Sequence, residues 1–232
     1  FKINKTSHIK LTDYIQSVAE KKSENEVRKT VLHAVVYHLR RYNPNDIQLS
    51  RIDKDYILGF LDYLKTAKQT HTKKEKLLHV NTQVYYYKML RYCLNYAVSE
   101  ELISANPMNK IKNEEKPHKH RTEREYLTID ELRKLAQTPF YNGLLKKAFL
   151  FSCFCGLRHS DIIALTWGDI EMDDDGNSRL YIIQKKTKEA ISLPLSQEAI
   201  KQLPKREDAK EDDIIFKKLI TLGRTNEILP KW

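Results

Sequence analysis

One arginine at the exit of an apolar helix is hard to explain by packing. Cys155-Gly156-Leu157-Arg158-His159-Ser160-Asp161-Ile162-Ile163-Ala164-Leu165 follows the mostly apolar stretch Leu144 to Cys155. Gly156 stands where a left-handed helix cap belongs. A guanidinium is planar, stays charged at any biological pH and donates in parallel pairs, so a phosphodiester suits it. Asp161, three residues on, is placed to hold Arg158, although on the spacing alone an ordinary Arg158 to Asp161 salt bridge is the favoured reading. Downstream, Gln184-Lys185-Lys186-Thr187-Lys188-Glu189 separates two β-like runs, Leu180 to Ile183 and Ala190 to Leu193, which puts lysines at the tip of a predicted hairpin. Such a tip can reach into a nucleic-acid groove, and a solubilising basic turn is the plainer alternative.

Other chemistries find little support. The six glycines are too scattered for a G-x-G-x-x-G or G-x-x-x-x-G-K loop, and no H-E-x-x-H occurs. Cys93, Cys153 and Cys155 form no C-x-x-C pair and are odd in number, so reduced core thiols are expected rather than disulfides or a zinc site. No metal, nucleotide or other cofactor is implied. The longest nearly apolar run, Ala148 to Leu157, is far below the roughly 18 residues a membrane span needs. No signal-peptide pattern opens the chain, so a cytoplasmic location without membrane association is expected.

Two domains are expected to position these groups, because 232 residues exceed the usual size of one. The formal net charge of +10 favours an anionic partner, most often nucleic acid. It is unevenly placed: residues 1–125 hold 24 Lys and Arg against 15 Asp and Glu, whereas residues 126–232 hold 17 against 16. Apolar spacing predicts helices near Ile9 to Ala19, over Val27, Val31, Ala34, Val35, His38 and Leu39, and over Ile57, Phe60, Leu61 and Leu64. Asn43-Pro44-Asn45-Asp46 is a turn, and Thr66 to Leu77 reads as a loop. A fourth helix, Asn81 to Ser99, buries Tyr86, Leu90, Cys93, Leu94 and Ala97. Its opposite face carries Tyr85, Lys88, Arg91, Tyr92 and Asn95, which suits phosphate contact and equally suits a plain solvated face.

Asn106-Pro107 closes this domain, predicted to span residues 1–108. The linker predicted over residues 109–125 carries Lys110, Lys112, Lys116, Lys119, Arg121 and Arg124. Thr128-Ile129-Asp130-Glu131 fits a capping box and opens a second domain over residues 126–232. Within it, Asp173-Asp174-Asp175-Gly176-Asn177 marks a turn, and Thr225 or Asn226 would cap a last helix.

The order G-L-R-x-S-D-I-x-x-L-x-W-x-D-I, then strand, Q-K-K-T-K, strand and L-P-L, resembles the tyrosine recombinases, the phage integrase family. The four-helix region and its Asn106-Pro107 exit resemble that family's core-binding domain. The resemblance implies an all-α, SAM-like core-binding domain followed by a mixed α+β catalytic domain with a small antiparallel sheet, closing as a C-shaped clamp on duplex DNA. It implies site-specific recombination and integration, with self-association on DNA up to a tetrameric synapse. By the same resemblance Arg158 grips the scissile phosphate and Asp161 supports it. The lysine before Thr187, Lys186, protonates the leaving 5′ oxygen, with Lys185 the other candidate. Tyr85, Lys88, Arg91, Asn95 and Lys185 would meet DNA.

The family also uses a His-x-x-Arg pair, a further His or Trp, and a tyrosine that attacks phosphorus to form a 3′-phosphotyrosyl link. No histidine follows His159, and Tyr181, the only tyrosine after Arg158, precedes the lysines. Packing is the role expected of Tyr181. Leu222 to Glu227 resembles the lead-in to the His-x-x-Arg helix. Phe1 is not an initiator methionine and no helix-ending signal precedes Trp232, so trimming at both ends, and a DNA-binding but inactive piece of an enzyme, are expected. A natural fragment that has lost chemistry, or a non-enzymatic helical DNA-binding regulator or RNA-binding module, remains open beside it.

Overall fold

The structure, a computed structural model, describes residues 8–22, 25–70, 76–121, 123, 125–173 and 175–232, with no side chain for Lys22. Sequence readings at Phe1, at 71–75 within the Thr66 to Leu77 stretch, at Arg124 and at Asp174 lie outside the described residues. The chain divides into two compact units, residues 1–123 and 124–232.

Among the described residues, four α-helices build the first unit: α1 Leu11–Lys22, α2 Glu26–Tyr42, α3 Lys54–Thr66 and α4 Val80–Ser99. Each of the last three starts where a side chain satisfies a first-turn amide. Asn25 accepts from Val27 and Arg28, Asp53 from Tyr56, and the His79 imidazole from Asn81. Their apolar stripes meet in one core of Leu11, Ile15, Leu32, Leu39, Ile57, Phe60, Leu64, Leu90 and Leu94, all essentially sealed from solvent. Val27, expected on the apolar stripe of α2, lies outside it and is 68% exposed. Cys93 is buried here, and burial pushes its thiol up to about 12.

Chain beyond α4 stays attached to this unit. Met108 and Ile111 are buried in its core, Lys54 pairs with Glu115 at 2.7 Å, and the Asn81 amide bonds both the N–H and the C=O of His120 at 2.9 and 3.1 Å. Residues 109–121, read from charge as a connector, are therefore anchored at several points.

The second unit opens with α5 Ile129–Gln137, whose Thr128 and Glu131 form the expected capping box. Helix α6 Gly143–Cys155 ends at Gly156, which takes φ +65° as a left-handed cap. After the short α7 His159–Ile162 come β1 Ile170–Met172, β2 Ser178–Ile183 and β3 Ala190–Pro194. They form an antiparallel sheet in that order, with Leu180 facing Leu193 and Tyr181 facing Ser192. Helices α8 Gln197–Ile200 and α9 Leu222–Ile228 follow. The core gathers Phe151, Leu157, Ile162, Leu165, Leu180, Leu195, Ile215 and Phe216.

Three details differ from expectation. β1 was unforeseen, because three residues are too few for alternation to show. Helix α9 is capped by Thr221, four residues early, and Thr225 is buried within it. Cys153 is exposed rather than buried, while Cys155 is half-buried, its thiol pushed up to about 11 by burial.

His38 supplies a pH test of the first core. It is 1% exposed, ringed by Tyr37, Tyr63 and Tyr86, and its Nε2 has no partner. Burial, aided by Arg41, pushes its pKa from 6.5 down to about 4, so the fold holds it neutral. The unfolded chain binds the proton first as pH falls. The first unit should therefore lose up to roughly 3 kcal/mol between pH 6.5 and 4 from this group. Hydrogen exchange of the α2 and α4 core amides checks it: His38→Leu should flatten this part of the pH dependence, and an unchanged slope would show that His38 does not cause it.

Candidate functional site

Arg158 occupies the N-cap position of α7 with extended backbone angles, φ −78° and ψ 155°, immediately after the left-handed Gly156 and buried Leu157. That backbone sends its side chain to the hairpin. Arg158 Nη1 donates to Gln184 Oε1 at 2.7 Å. Gln184 is the first residue beyond β2 and is buried, whereas Lys185, Lys186, Thr187, Lys188 and Glu189 around the tip are all exposed.

Asp161 does not pair with Arg158; no ion pair joins them among the described residues, contrary to the simple salt bridge the spacing allows. The physical reason lies in burial. Asp161 is 5% exposed, and its Oδ1 accepts the backbone N–H of Lys185 at 3.0 Å, while Oδ2 has no partner. Two bonds thus cross from the α6–α7 junction to the lysine turn: Arg158 to Gln184, and the Lys185 amide to Asp161. The turn is also closed internally. Lys188 N–H donates to Gln184 C=O and Gln184 N–H to Glu189 C=O, each at 2.9 Å, with Lys188 at φ +61°.

The arrangement presents one guanidinium with most of its donors uncommitted, next to a tip bearing Lys185 and Lys186. Chemically it can grip an oxyanion and offer a proton beside it. Tyr181 lies on the outward face of the sheet and is 41% exposed, so it is not the packing residue expected. Among the described residues, no group of three or more His, Cys, Asp and Glu is placed to hold a metal ion, and no helix is long and apolar enough to cross a membrane.

On α4, Tyr85 and Lys88 are exposed, as expected for a contact face. Arg91 and Asn95 already have duties: Arg91 Nη2 donates to Asn109 Oδ1 at 2.9 Å, and Asn95 Oδ1 accepts from Asn106 Nδ2 at 2.7 Å. Asn106, 3% exposed, spends its own Oδ1 on the Met108 amide. The exit at Asn106-Pro107 is thereby tied to the face predicted to meet DNA. Tyr92 is held by Arg28, whose guanidinium lies 5.1 Å from the ring centre.

Two residues escaped prediction. Gln184 had a signal: with Leu180 buried and Ile182 half-buried, period-two alternation places residue 184 inward, where a polar side chain asks for a reason. His159 had none in sequence. Its Nε2 lies 3.0 Å from Ile220 C=O and 3.3 Å from Thr225 Oγ1, joining α7 to the start of α9.

Two family models match the chain, the phage integrase SAM-like domain over residues 10–116 and the phage integrase family over residues 125–226. No curated protein matches. Among solved structures, a lambda integrase dimer bound to a COC′ core site aligns with TM-score 0.71 at 20% identity, covering 99% of this chain and 64% of that one. A lambda integrase tetramer bound to a Holliday junction aligns with TM-score 0.70 at 19% identity, over 99% and 67% of the two chains. The integrase of the Tn1549 transposon, in complex with circular intermediate DNA, gives 0.63 at 14%, over 93% and 69%. The chain thus spans less than two thirds of the lambda integrase in the dimer. At these identities the structural likeness concerns the fold.

The carboxylate bridge predicts a graded response. Asp161→Asn keeps an acceptor for the Lys185 amide and should leave the hairpin closed. Asp161→Ala removes it and should cost about 1–3 kcal/mol, with faster hydrogen exchange at Lys185. Equal exchange in wild type and Asp161→Ala would show that the bond does not hold the turn.

Proposed function

Because this chain belongs to the phage integrase family, the tyrosine recombinases, we propose that it grips duplex DNA and clamps a scissile phosphate for site-specific strand transfer. The observation that supports this most is the Arg158 to Gln184 bond, which brings an uncancelled guanidinium to the foot of a lysine-bearing hairpin. In this reading Arg158 binds the non-bridging phosphate oxygens, and Lys186 donates a proton to the departing 5′ oxygen. A phosphoryl transfer needs both, since charge builds on the phosphate oxygens while the alkoxide leaves. Lys185 supports the same phosphate or its neighbour, and Asp161 acts by holding the Lys185 amide.

The α4 face is proposed to supply affinity. Tyr85 and Lys88 reach the duplex directly. Arg91 has four guanidinium donors beyond the one given to Asn109, and Asn95 keeps its amide nitrogen. The lambda integrase and Tn1549 integrase structures are DNA complexes, one of them a tetramer, and binding to duplex DNA as an oligomer is proposed here by analogy. The 232 residues carry no histidine beyond His159 and no tyrosine beyond Tyr181. We therefore assign them the phosphate clamp without the attacking group, so that on their own they bind DNA and do not cut it.

Quantitative gel shifts and a covalent-capture assay test both parts. Affinity for duplex should fall steeply with salt, and Lys88→Ala should weaken binding and lower the log–log salt slope by about 1. With a labelled nicked duplex the chain should give no protein–DNA adduct on a denaturing gel. Salt-independent binding would remove the DNA-gripping function, and an adduct would show that the chain carries its own nucleophile.

A further inference from the structure

Gln184 is not among the residues assigned to the clamp, yet both arms of the clamp converge on it. We propose that Gln184 is the positioning residue of this site: its amide oxygen locks the Arg158 guanidinium to the lysine turn, so arginine and lysine meet a phosphate as one preset unit. The inference rests on the phosphate-clamp function and identifies what sets its geometry.

The hydrogen-bond chemistry fixes which way the amide faces. Arginine can only donate, so the atom that meets Arg158 Nη1 at 2.7 Å must be the oxygen. The same oxygen accepts the Thr187 hydroxyl at 2.9 Å, which uses both of its lone pairs. Gln184 is 6% exposed within a tip whose other side chains face solvent. A polar side chain is buried at that cost only where its bonds are made, and here two are made, one to Arg158 and one to Thr187 of the lysine turn.

Its main chain adds a second constraint, since the Lys188 to Gln184 and Gln184 to Glu189 bonds close the turn that carries Lys185 and Lys186. Position 184 therefore couples guanidinium and lysines through one residue. The acceptor is also neutral. A carboxylate there would orient Arg158 while cancelling the charge a phosphate needs, whereas an amide oxygen orients it and leaves four donors, including a bidentate edge, for the ligand.

Nitrogen-15 spectra of the arginine side chains in the 232-residue chain, without DNA, read the restraint directly. Arg158 signals, identified by their loss in Arg158→Lys, should show slow guanidinium rotation in wild type and fast rotation in Gln184→Leu. In Gln184→Glu, which keeps an acceptor, rotation should stay slow. Unchanged Arg158 signals in Gln184→Leu, with hairpin amides intact, would overturn the proposal. Should Gln184→Leu disrupt the hairpin, Gln184→Glu decides, and fast rotation there overturns it. Duplex binding reads the consequence. Gln184→Leu should weaken it roughly fivefold, and Arg158→Ala combined with Gln184→Leu should be no weaker than Arg158→Ala alone. Independent, multiplying losses would show that Gln184 does not act through Arg158. If Arg158→Ala leaves duplex affinity intact, the phosphate-clamp function fails, while the spectra still report separately on the restraint.

Discussion

A cation proposed to meet a phosphate has to be oriented without being neutralised, and the arrangement of the second unit satisfies that constraint. Arg158 finds a neutral amide oxygen at 2.7 Å, while the nearest carboxylate in sequence, Asp161, is turned inward onto a backbone N–H. The left-handed Gly156 helps make this possible, because it ends α6, and Arg158 then stands in extended conformation at the next helix start. The lysine hairpin then becomes the other half of the same construction. Its tip is held by Gln184 and Asp161 from beneath, which leaves the lysine side chains pointing into solvent.

The first unit meets a different requirement, holding the face proposed to contact DNA while the chain leaves it. Asn106 is buried beside α4 and hydrogen-bonds Asn95, the backbone of Arg91 and the Met108 amide. The residues that would touch DNA therefore also fix the exit of the chain. Asn81 continues the attachment to His120, so the basic residues Lys110, Lys112 and Lys116 are carried on a segment anchored to the helical unit. Electrostatic attraction, which needs only accumulated charge, is compatible with such sharing, because a guanidinium has five donors and an amide two ends.

Much of this was legible in sequence, and the limits have physical causes. Apolar periodicity gave the four long helices of the first unit nearly to their ends, because each buries a continuous stripe. The capping box at Thr128 and the cap at Gly156 are local chemistry and read directly. The cap of α9 was misplaced because Thr221, Thr225 and Asn226 are all competent caps, and burial of Thr225 against His159 decides among them. For the site, residue types announced Arg158 and the lysines, but the partner of Arg158 could not be found by spacing. Sequence separation favoured Asp161, three residues away, whereas the actual partner lies 26 residues away at the end of β2. Exposure of Cys153 and Tyr181 likewise depends on which faces the tertiary packing covers.

Arg158, held ready by its neutral partner, is proposed to grip one particular phosphate. Scanning a bound duplex with single methylphosphonate substitutions, each removing one phosphate charge, tests it most directly. Neutralisation at one position should weaken wild-type binding sharply, and there Arg158→Ala should feel almost no further loss. A scan in which no position depends on Arg158 would contradict it.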